Sequence, residues 1–368
     1  MSDDAGTPTA YAVSPDSGEH WTAEGAWEVA PGIHRIPLPL PMDGLRAVNV
    51  YVIETTDDAG SGLTLIDGGW QIDVARDVLD RSLRSMGAGF GDIRRFLVTH
   101  SHRDHYTMAR ALGEELGVDV ALGREEGPAV DFVRQMRDAP PDPNPFQEAL
   151  VKAGAAEIAS HWTGGGPGGG PGSDPHSWLP PTSWLTDDQQ IAIGARNLDA
   201  VHTPGHTPGH YVFADRAAGL LFSGDHVLPT ITPSIGFTLP LPEQPLGDFL
   251  ASLTKVQALP DLALLPAHGP VAPSSHARVA QLLEHHDIRL ADSLAAVPED
   301  GVATARDVAS RLGWTRHHHP FDTLDPFNAG MAVMETQAHL ALLVARGDLA
   351  TSEVDGVVEY RRAGAACY

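Results

Sequence analysis

Four potential metal ligands fall within six consecutive residues of the chain. The segment from Thr99 to Tyr106 holds them in the order His100, His102, Asp104 and His105. The apolar residues before it predict a strand from Ile93 to Val98, and a helix-like stretch from Met108 to Leu116 follows it. Side chains alternate along an extended chain, so the first three ligands should project to one side, and the turn into the helix should bring His105 near them. This spacing suits two adjacent metal ions.

The residues narrow the choice of metal without deciding it. Imidazole nitrogens with one or two carboxylates are favoured by zinc, and by iron or manganese as the carboxylate content rises. The only cysteine, Cys367, lies beside the carboxyl terminus. We therefore expect neither a thiolate metal site nor an intrachain disulfide.

Three later segments each end a strand-like run with a further potential ligand. His206 stands in the turn Thr203-Pro204-Gly205-His206 after the strand-like residues 198–201. Asp225 follows the apolar residues 221–224, and His268 follows the apolar residues 264–267. A Pro-Gly turn presents the next side chain at the end of a strand, which favours His206 as a member of the same site.

With these segments in place, residues from about 26 to 270 resemble the metallo-β-lactamase superfamily. Its pattern is HxHxDH, a histidine in a TPGHTxG-like turn, an aspartate after a short strand and a final histidine, and this chain has every position in order. The resemblance implies an αββα sandwich and two metal ions, most simply Zn(2+), with iron or manganese as alternatives. It assigns the first ion to His100, His102 and His206, the second to Asp104, His105 and His268, and a bridging position to Asp225.

The chain divides into three predicted regions. Residues 1–25 lack apolar periodicity and are predicted to be a disordered tail, and residues 26–285 form the metallo-β-lactamase-fold domain, an α/β unit. Residues 145–160 and 275–296 are each predicted to be helical. Residues 286–368 are predicted to form a small winged-helix-like domain from helices at 303–312 and 329–345 and a hairpin at 349–360. This region resembles the winged-helix domain appended to one branch of metallo-β-lactamase-fold hydrolases, which includes thioester hydrolases and an endoribonuclease.

Charge and composition limit the partners. The net charge is −24, and residues 289–368 carry seven arginines, no lysine and eleven acidic residues. The resulting field repels phosphates, so we expect a small-molecule substrate rather than nucleic acid. No run of eighteen apolar residues occurs and the first residues are acidic, so the sequence predicts a cytoplasmic protein without a membrane partner.

Several further residues have predicted roles around this site. Asp67 is predicted to orient a ligand, Arg103 to face an anionic substrate group, and His210 and His226 to move protons or support the ligands, unless they are structural histidines. The Gly/Pro-rich stretch 164–172 is interpreted as a surface insertion rather than a lid. Core packing is the preferred interpretation of Trp162, Trp178 and Trp184, and the alternative is the lining of an acyl or ring-binding pocket. An exposed loop is the preferred interpretation of His317, His318 and His319, and the alternative is that one of them touches substrate.

The expected reaction is hydrolysis. A metal-bound hydroxide, oriented by Asp104 and Asp225, would attack an ester or thioester, as in the glyoxalase-II-like hydrolases that the metal motifs resemble. The alternatives are a metal-dependent endoribonuclease acting on single-stranded RNA, which would need a basic channel, and a lactone or β-lactam hydrolase.

Overall fold

A computed structural model describes residues 20–41, 44–57, 60–138, 144–162, 175–315 and 318–363 of the chain. Part of the predicted disordered tail belongs to the described structure. Trp21 is buried, and its carbonyl accepts a hydrogen bond of 2.6 Å from Nη1 of Arg35. The predicted tail 1–25 is therefore too long at its carboxyl end, and its first nineteen residues lie outside the described residues.

The first sheet has seven strands in sequence order. They are β1 (Trp27–Ala30), β2 (Ile33–Pro39), β3 (Ala47–Asp57), β4 (Gly60–Ile66), β5 (Ile93–Leu97), β6 (Asp119–Gly123) and β7 (Ser183–Leu185). Strands β1 to β4 pair antiparallel, and β4 to β7 pair parallel. The parallel part needs crossover connections. Helix α1 (Asp73–Ser85) lies in the first, α2 (Arg103–Leu116) lies in the second, and the residues between β6 and β7 form the third.

The second sheet has five strands and supplies the other half of the site. They are β8 (Gln189–Ile193), β9 (Arg196–His202), β10 (Tyr211–Asp215), β11 (Leu220–Gly224) and β12 (Ala263–Pro266), in the spatial order β12-β11-β10-β9-β8. Only β11 and β12 pair parallel, and helix α6 (Pro245–Ala258) connects them.

The inner faces of the two sheets pack against each other. One hydrophobic cluster joins Ile53 and Leu97 of the first sheet to Phe213 and Phe222 of the second. Two further clusters lie on the outer faces, one against α1 and α2 and one against α6 and the carboxyl-terminal helices. The predicted αββα sandwich is confirmed, because each sheet buries one face on the other sheet and one face under helices.

The region between β6 and β7 corrects one prediction. Helices α3 (Gly127–Asp138), α4 (Pro145–Lys152) and α5 (Ala156–Ala159) lie there, and the last two stand where a single helix was expected over 145–160. Gly154 has a φ of +81° and separates them, because that conformation cannot continue a right-handed helix. The stretch 164–172 lies outside the described residues.

The carboxyl-terminal region contains helix, helix and hairpin in the predicted order. Its elements are α7 (Ser275–Ala296), α8 (Ala305–Ala309), α9 (Pro326–Arg346), β13 (Leu349–Val354) and β14 (Val357–Arg362). The winged-helix assignment stays a prediction. So does the boundary at 285, which falls inside the continuous helix α7. Among the described helices, none is long and apolar enough to cross a membrane.

Candidate metal centre

The four clustered ligands lie where β5 passes into α2. The helix begins at Arg103, five residues before the predicted Met108, and His102 is its N-cap residue. Asp104 is therefore in the first turn of the helix and does not alternate with His100 and His102 along an extended chain. A carboxylate in the first helical turn is favoured because it lies near unpaired backbone N–H groups and the positive end of the helix dipole.

Three histidines bring ring nitrogens together on one side of the centre. Nδ1 of His102 lies 3.0 Å from Nε2 of His100 and 3.0 Å from Nε2 of His206. Two of the remote nitrogens have partners: Nδ1 of His206 donates to the Ser234 carbonyl at 2.8 Å, and Nδ1 of His100 lies 3.0 Å from the Thr99 hydroxyl. Nε2 of His102 is buried without a hydrogen-bond partner among the described residues. A proton held at the remote nitrogen leaves the inward nitrogen as a lone pair.

The electrostatics of these three rings favour a bound cation. Burial, followed by the neighbouring imidazoles, lowers the pKa of His100 well below its usual value, and burial also lowers the pKa of His206. Burial and the nearby His206 lower the pKa of His102 to about 3. All three rings are neutral near pH 7, and the inward lone pairs of His100 and His206 converge on His102, an arrangement to which a metal ion can bind.

Asp104, His105 and His268 form a second group beside the first. Oδ2 of Asp104 lies 3.4 Å from Nε2 of His268 and 3.6 Å from Nε2 of His105. Nδ1 of His268 donates to the Ala47 carbonyl at 2.8 Å, and Nδ1 of His105 donates to Oδ2 of Asp67 at 2.9 Å. Among the described residues, neither inward Nε2 has a hydrogen-bond partner although both atoms are buried.

The carboxylates decide the charge of this second group. Burial alone would lower the pKa of His105, but the Asp104, Asp225 and Asp67 carboxylates outweigh it and raise the pKa to about 9. Burial likewise raises the pKa of Asp104, but His105 and His268 bring it well below its usual value. A cation at this position would replace protons on the imidazoles, since metal binding requires deprotonated ligands.

Asp225 lies between the two groups and faces both of them. Its Oδ2 lies 3.5 Å from Nε2 of His206, and its Oδ1 lies 3.4 Å from Nε2 of His268 and 3.6 Å from Nε2 of His105. One carboxylate oxygen thus serves each group. Burial opposes ionisation of Asp225, but His268 and His105 outweigh it and hold its pKa well below the usual range.

The seven residues chosen from the sequence therefore meet in one place. Three ligand sets lie within reach of a metal ion: His100, His102 and His206; His100, His105 and Asp225; and Asp104, His105 and His268. Buried polar atoms without partners, converging lone pairs and a nitrogen and oxygen donor set all fit two metal ions. The assignment of individual ligands stays a prediction.

The supporting residues from the sequence analysis lie around this centre. Asp67 makes the expected contact with a ligand, His105, and also accepts hydrogen bonds from the backbone N–H of Thr99 at 2.8 Å and from its hydroxyl at 3.0 Å. Nε2 of His210 accepts from the backbone N–H of Asp225 at 3.1 Å. His210 thus supports the backbone of Asp225, and an Nε2 that accepts this hydrogen bond has no proton to transfer.

Arg103, His226 and the three histidines at 317–319 were also singled out from the sequence. The guanidinium of Arg103 lies over the ring of Trp70, 4.3 Å from its centroid, and its contact with substrate stays a prediction. Both ring nitrogens of His226 are buried without a hydrogen-bond partner among the described residues. His318 and His319 are exposed and belong to none of the described ligand sets, whereas His317 lies outside the described residues.

The tryptophans pack in the core or at its edge. Trp178 is buried, and Trp184 packs against the same cluster. Trp162 stacks on Phe327 with the ring centroids 5.4 Å apart. Core packing, the interpretation preferred from the sequence, describes Trp178 and Trp184, and Trp162 belongs to an aromatic group at the edge of a core.

Sequence reasoning missed one buried acidic residue and two backbone groups. Glu126 is buried and contacts the loops on both sides of the first histidine group. The carbonyls of Ala47 and Ser234 orient His268 and His206. No sequence signal marks a backbone carbonyl for such a role, and Glu126 stands in an ordinary polar stretch, Arg124-Glu125-Glu126.

Comparisons with known proteins identify the family and agree with the fold. A family model described as "Metallo-beta-lactamase superfamily" matches residues 43–268. A metallo-beta-lactamase family protein of Thermus thermophilus superposes with a TM-score of 0.71 at 27% identity, over 91% of this chain and 100% of that chain.

Curated relatives match over shorter stretches. The beta-lactamase-like protein 2 homolog of Caenorhabditis elegans is 27% identical over 35% of this chain and 41% of its own length. The atrochrysone carboxyl ACP thioesterase AgnL7 of Paecilomyces divaricatus is 30% identical over 31% of this chain and 33% of its own length. The chain thus spans well under half the length of these relatives. Since the family model covers more than half of the chain and the same fold extends over nearly all of it, this protein belongs to the metallo-beta-lactamase superfamily, whose members are generally hydrolases.

Proposed function

We propose that the protein is a dinuclear zinc hydrolase that cleaves a carboxylic ester or thioester. The observation that carries the proposal is the position of Asp225. Each of its carboxylate oxygens lies within 3.4 to 3.6 Å of ligand nitrogens from a different group. Such a carboxylate can bridge two cations, and a pair of adjacent cations is a recurring arrangement in hydrolytic sites.

In this proposal His100, His102 and His206 would hold one zinc ion, Asp104, His105 and His268 would hold the other, and Asp225 would be shared between them. When bound, zinc would lower the pKa of a water molecule and polarise the carbonyl of the substrate. The donor set contains only imidazole nitrogens and carboxylate oxygens, which is common in catalytic zinc sites.

The two aspartates orient the attacking water in this scheme. Asp104 and His102 are the two partly accessible ligands, and the other five are buried. Substrate should therefore approach from the side of the centre where Asp104 and His102 lie. Because the pKa of both carboxyl groups lies well below the usual range, both would be ionised and would accept hydrogen bonds from water.

Two further facts support an acyl substrate. One relative, 30% identical over 113 residues, is named as a thioesterase, although the match covers only 33% of that protein. The net charge of −24 opposes the approach of a polyanion such as RNA. A short neutral or weakly charged acyl compound meets no such barrier.

The test is zinc-dependent turnover of a short panel of acyl esters and acyl thioesters. Asp104→Asn should abolish turnover, because an amide neither carries the charge of the carboxylate nor accepts hydrogen bonds at both of its atoms. Asp131→Asn, on the exposed face of α3, is the matched control and should keep the activity of the wild type.

A structured single-stranded RNA, a lactone and a β-lactam belong in the same panel. Thioester or ester turnover that requires zinc and Asp104 would support the proposal. Metal-dependent RNA cleavage without acyl turnover would refute it and would favour the endoribonuclease. Turnover of only the lactone or β-lactam would refute the linear-ester assignment while keeping the hydrolytic centre.

A further inference from the structure

Glu126 is a buried acidic residue that the proposed hydrolytic scheme does not use. It ends the short 3-10 helix Arg124–Glu126, which follows β6. Its side chain is inaccessible to solvent, whereas the neighbouring Glu125 has 43% of its side chain exposed. Burying a carboxylate costs free energy unless hydrogen bonds replace those it makes to water. The hydrogen-bond partners of Glu126 therefore indicate what its burial achieves.

All four of its contacts come from the two loops that carry the first histidine group. Oε2 accepts hydrogen bonds from the backbone N–H of Ser101, at 3.2 Å, and from the Ser101 hydroxyl. Oε1 accepts from the Thr207 hydroxyl and from the backbone N–H of Gly209, at 2.9 Å. Each carboxylate oxygen therefore serves one loop.

Two of the three contacted residues are direct chain neighbours of ligands. Ser101 stands between His100 and His102, and Thr207 follows His206. These ligands come from strands of different sheets, β5 and β9, so no local structure sets the distance between them. The Glu126 carboxylate is a direct link of fixed length between the two loops.

The turn after His206 also packs so closely on Glu126 that neither can move far without displacing the other. A Cβ atom placed on Gly209 would lie 2.4 Å from the backbone nitrogen of Glu126 and 2.6 Å from its Cγ. The turn after His206 is thus packed directly on the helix that carries Glu126. Tight packing of this kind transmits a displacement instead of absorbing it.

Only a carboxylate can accept from all four donors. An amide in its place would turn its NH₂ group towards the backbone N–H of either Ser101 or Gly209, and a backbone donor cannot reverse its role. Burial raises the pKa of Glu126, and the hydrogen bonds from Ser101 and Thr207 oppose that rise.

We propose that Glu126 is a positioning residue that sets the spacing between the His100–His102 loop and His206, and thereby the affinity of the metal ion that these three histidines hold. The inference rests on the proposed metal centre but not on the proposed substrate. Residues that orient metal ligands typically change metal affinity by roughly 10- to 100-fold when they are replaced.

The test measures zinc affinity by chelator competition, starting from metal-free protein. Glu126→Gln should weaken the binding of one zinc ion by roughly 10- to 100-fold and change the absorption spectrum of the cobalt-substituted protein. In a His268→Ala background, which removes a ligand of the second group, Glu126→Gln should weaken the remaining strong site by the same factor.

Three further variants make the result interpretable. Glu125→Gln is the matched control and should leave both affinities as in the wild type. Ser101→Ala and Thr207→Ala each remove one hydrogen bond and keep the carboxylate, so each should weaken zinc binding less than Glu126→Gln does, and they carry the test if Glu126→Gln does not fold. Unchanged affinities in all three contact variants, or equal losses for both ions with an unchanged cobalt spectrum, would overturn the inference. Neither outcome depends on ester or thioester turnover, so a failure of this inference can be told apart from a failure of the proposed substrate.

Discussion

The buried histidine pair of His286 and His339 should make the protein less stable as the pH falls. The rings lie between α7 and α9, each about 1% exposed, with Nδ1 of His286 3.2 Å from Nε2 of His339. Nδ1 of His339 donates to the Glu335 carbonyl at 2.8 Å, so its Nε2 accepts the hydrogen of His286. Both rings are neutral in this arrangement.

The pKa shifts give the direction and size of the effect. Burial, then the neighbouring His339, lowers the pKa of His286 to about 2, and burial lowers the pKa of His339 to about 4, both from an ordinary value of 6.5. The unfolded chain therefore binds more protons between these values and 6.5, and the free energy of unfolding falls as the pH drops through that window. Relative to pH 8, each ring should lower the free energy of unfolding at pH 5 by about 2 kcal/mol, and the pair should lower it by about 4 kcal/mol.

The assay is urea unfolding of metal-free protein at pH 8 and pH 5, followed by circular dichroism. The variant with His286→Leu and His339→Leu removes both titrating rings at similar volume, so its loss of unfolding free energy between the two pH values should be smaller than that of the wild type by about 4 kcal/mol. Phe249→Leu, which changes a ring that packs on His286, should lower stability equally at both pH values. An unchanged pH dependence in the double variant would refute the reasoning.

Three further predictions concern the metal centre and the helix that carries two of its ligands. Asp67→Ala should weaken the binding of one zinc ion by about 10- to 100-fold in a chelator titration, because Nδ1 of His105 loses its acceptor; unchanged affinity would contradict the role of Asp67. Gly68→Ala should lower the free energy of unfolding, measured in urea, by about 1–3 kcal/mol, because the new Cβ would lie 2.4 Å from the backbone nitrogen of Ala109. Gly91→Ala is the control: its new Cβ would meet no atom within 4 Å, so the free energy of unfolding should change little. Zinc at about 100 times its dissociation constant should raise the free energy of unfolding by about 2.7 kcal/mol per site, and a chelator should reverse this; equal stability with and without zinc would mean that no ion binds the folded state preferentially.

The helices and strands around the ligands could largely be predicted because their periodicity is local. Helix α7 begins and ends at the predicted residues, Ser275 and Ala296, because its apolar spacing runs without interruption. The start of α2 was placed five residues late, since the polar residues from Arg103 onward resemble a loop when their partners are unknown. The break at Gly154 was missed because the apolar pattern continues across it.

The sequence by itself determined which side chains could bind metal, because the type and the spacing of the histidines and aspartates can be read directly from it. Only the tertiary structure decided how they meet. Asp225 divides its two oxygens between two groups because β5, β9, β11 and β12 converge at one end of the sandwich. The groups that hold the ligands in place, the Ala47 carbonyl for His268 and the Glu126 carboxylate for two loops, are 221 and up to 83 residues away in the chain. Contacts at such separations depend on how two sheets pack, and local residue patterns carry no information about that packing.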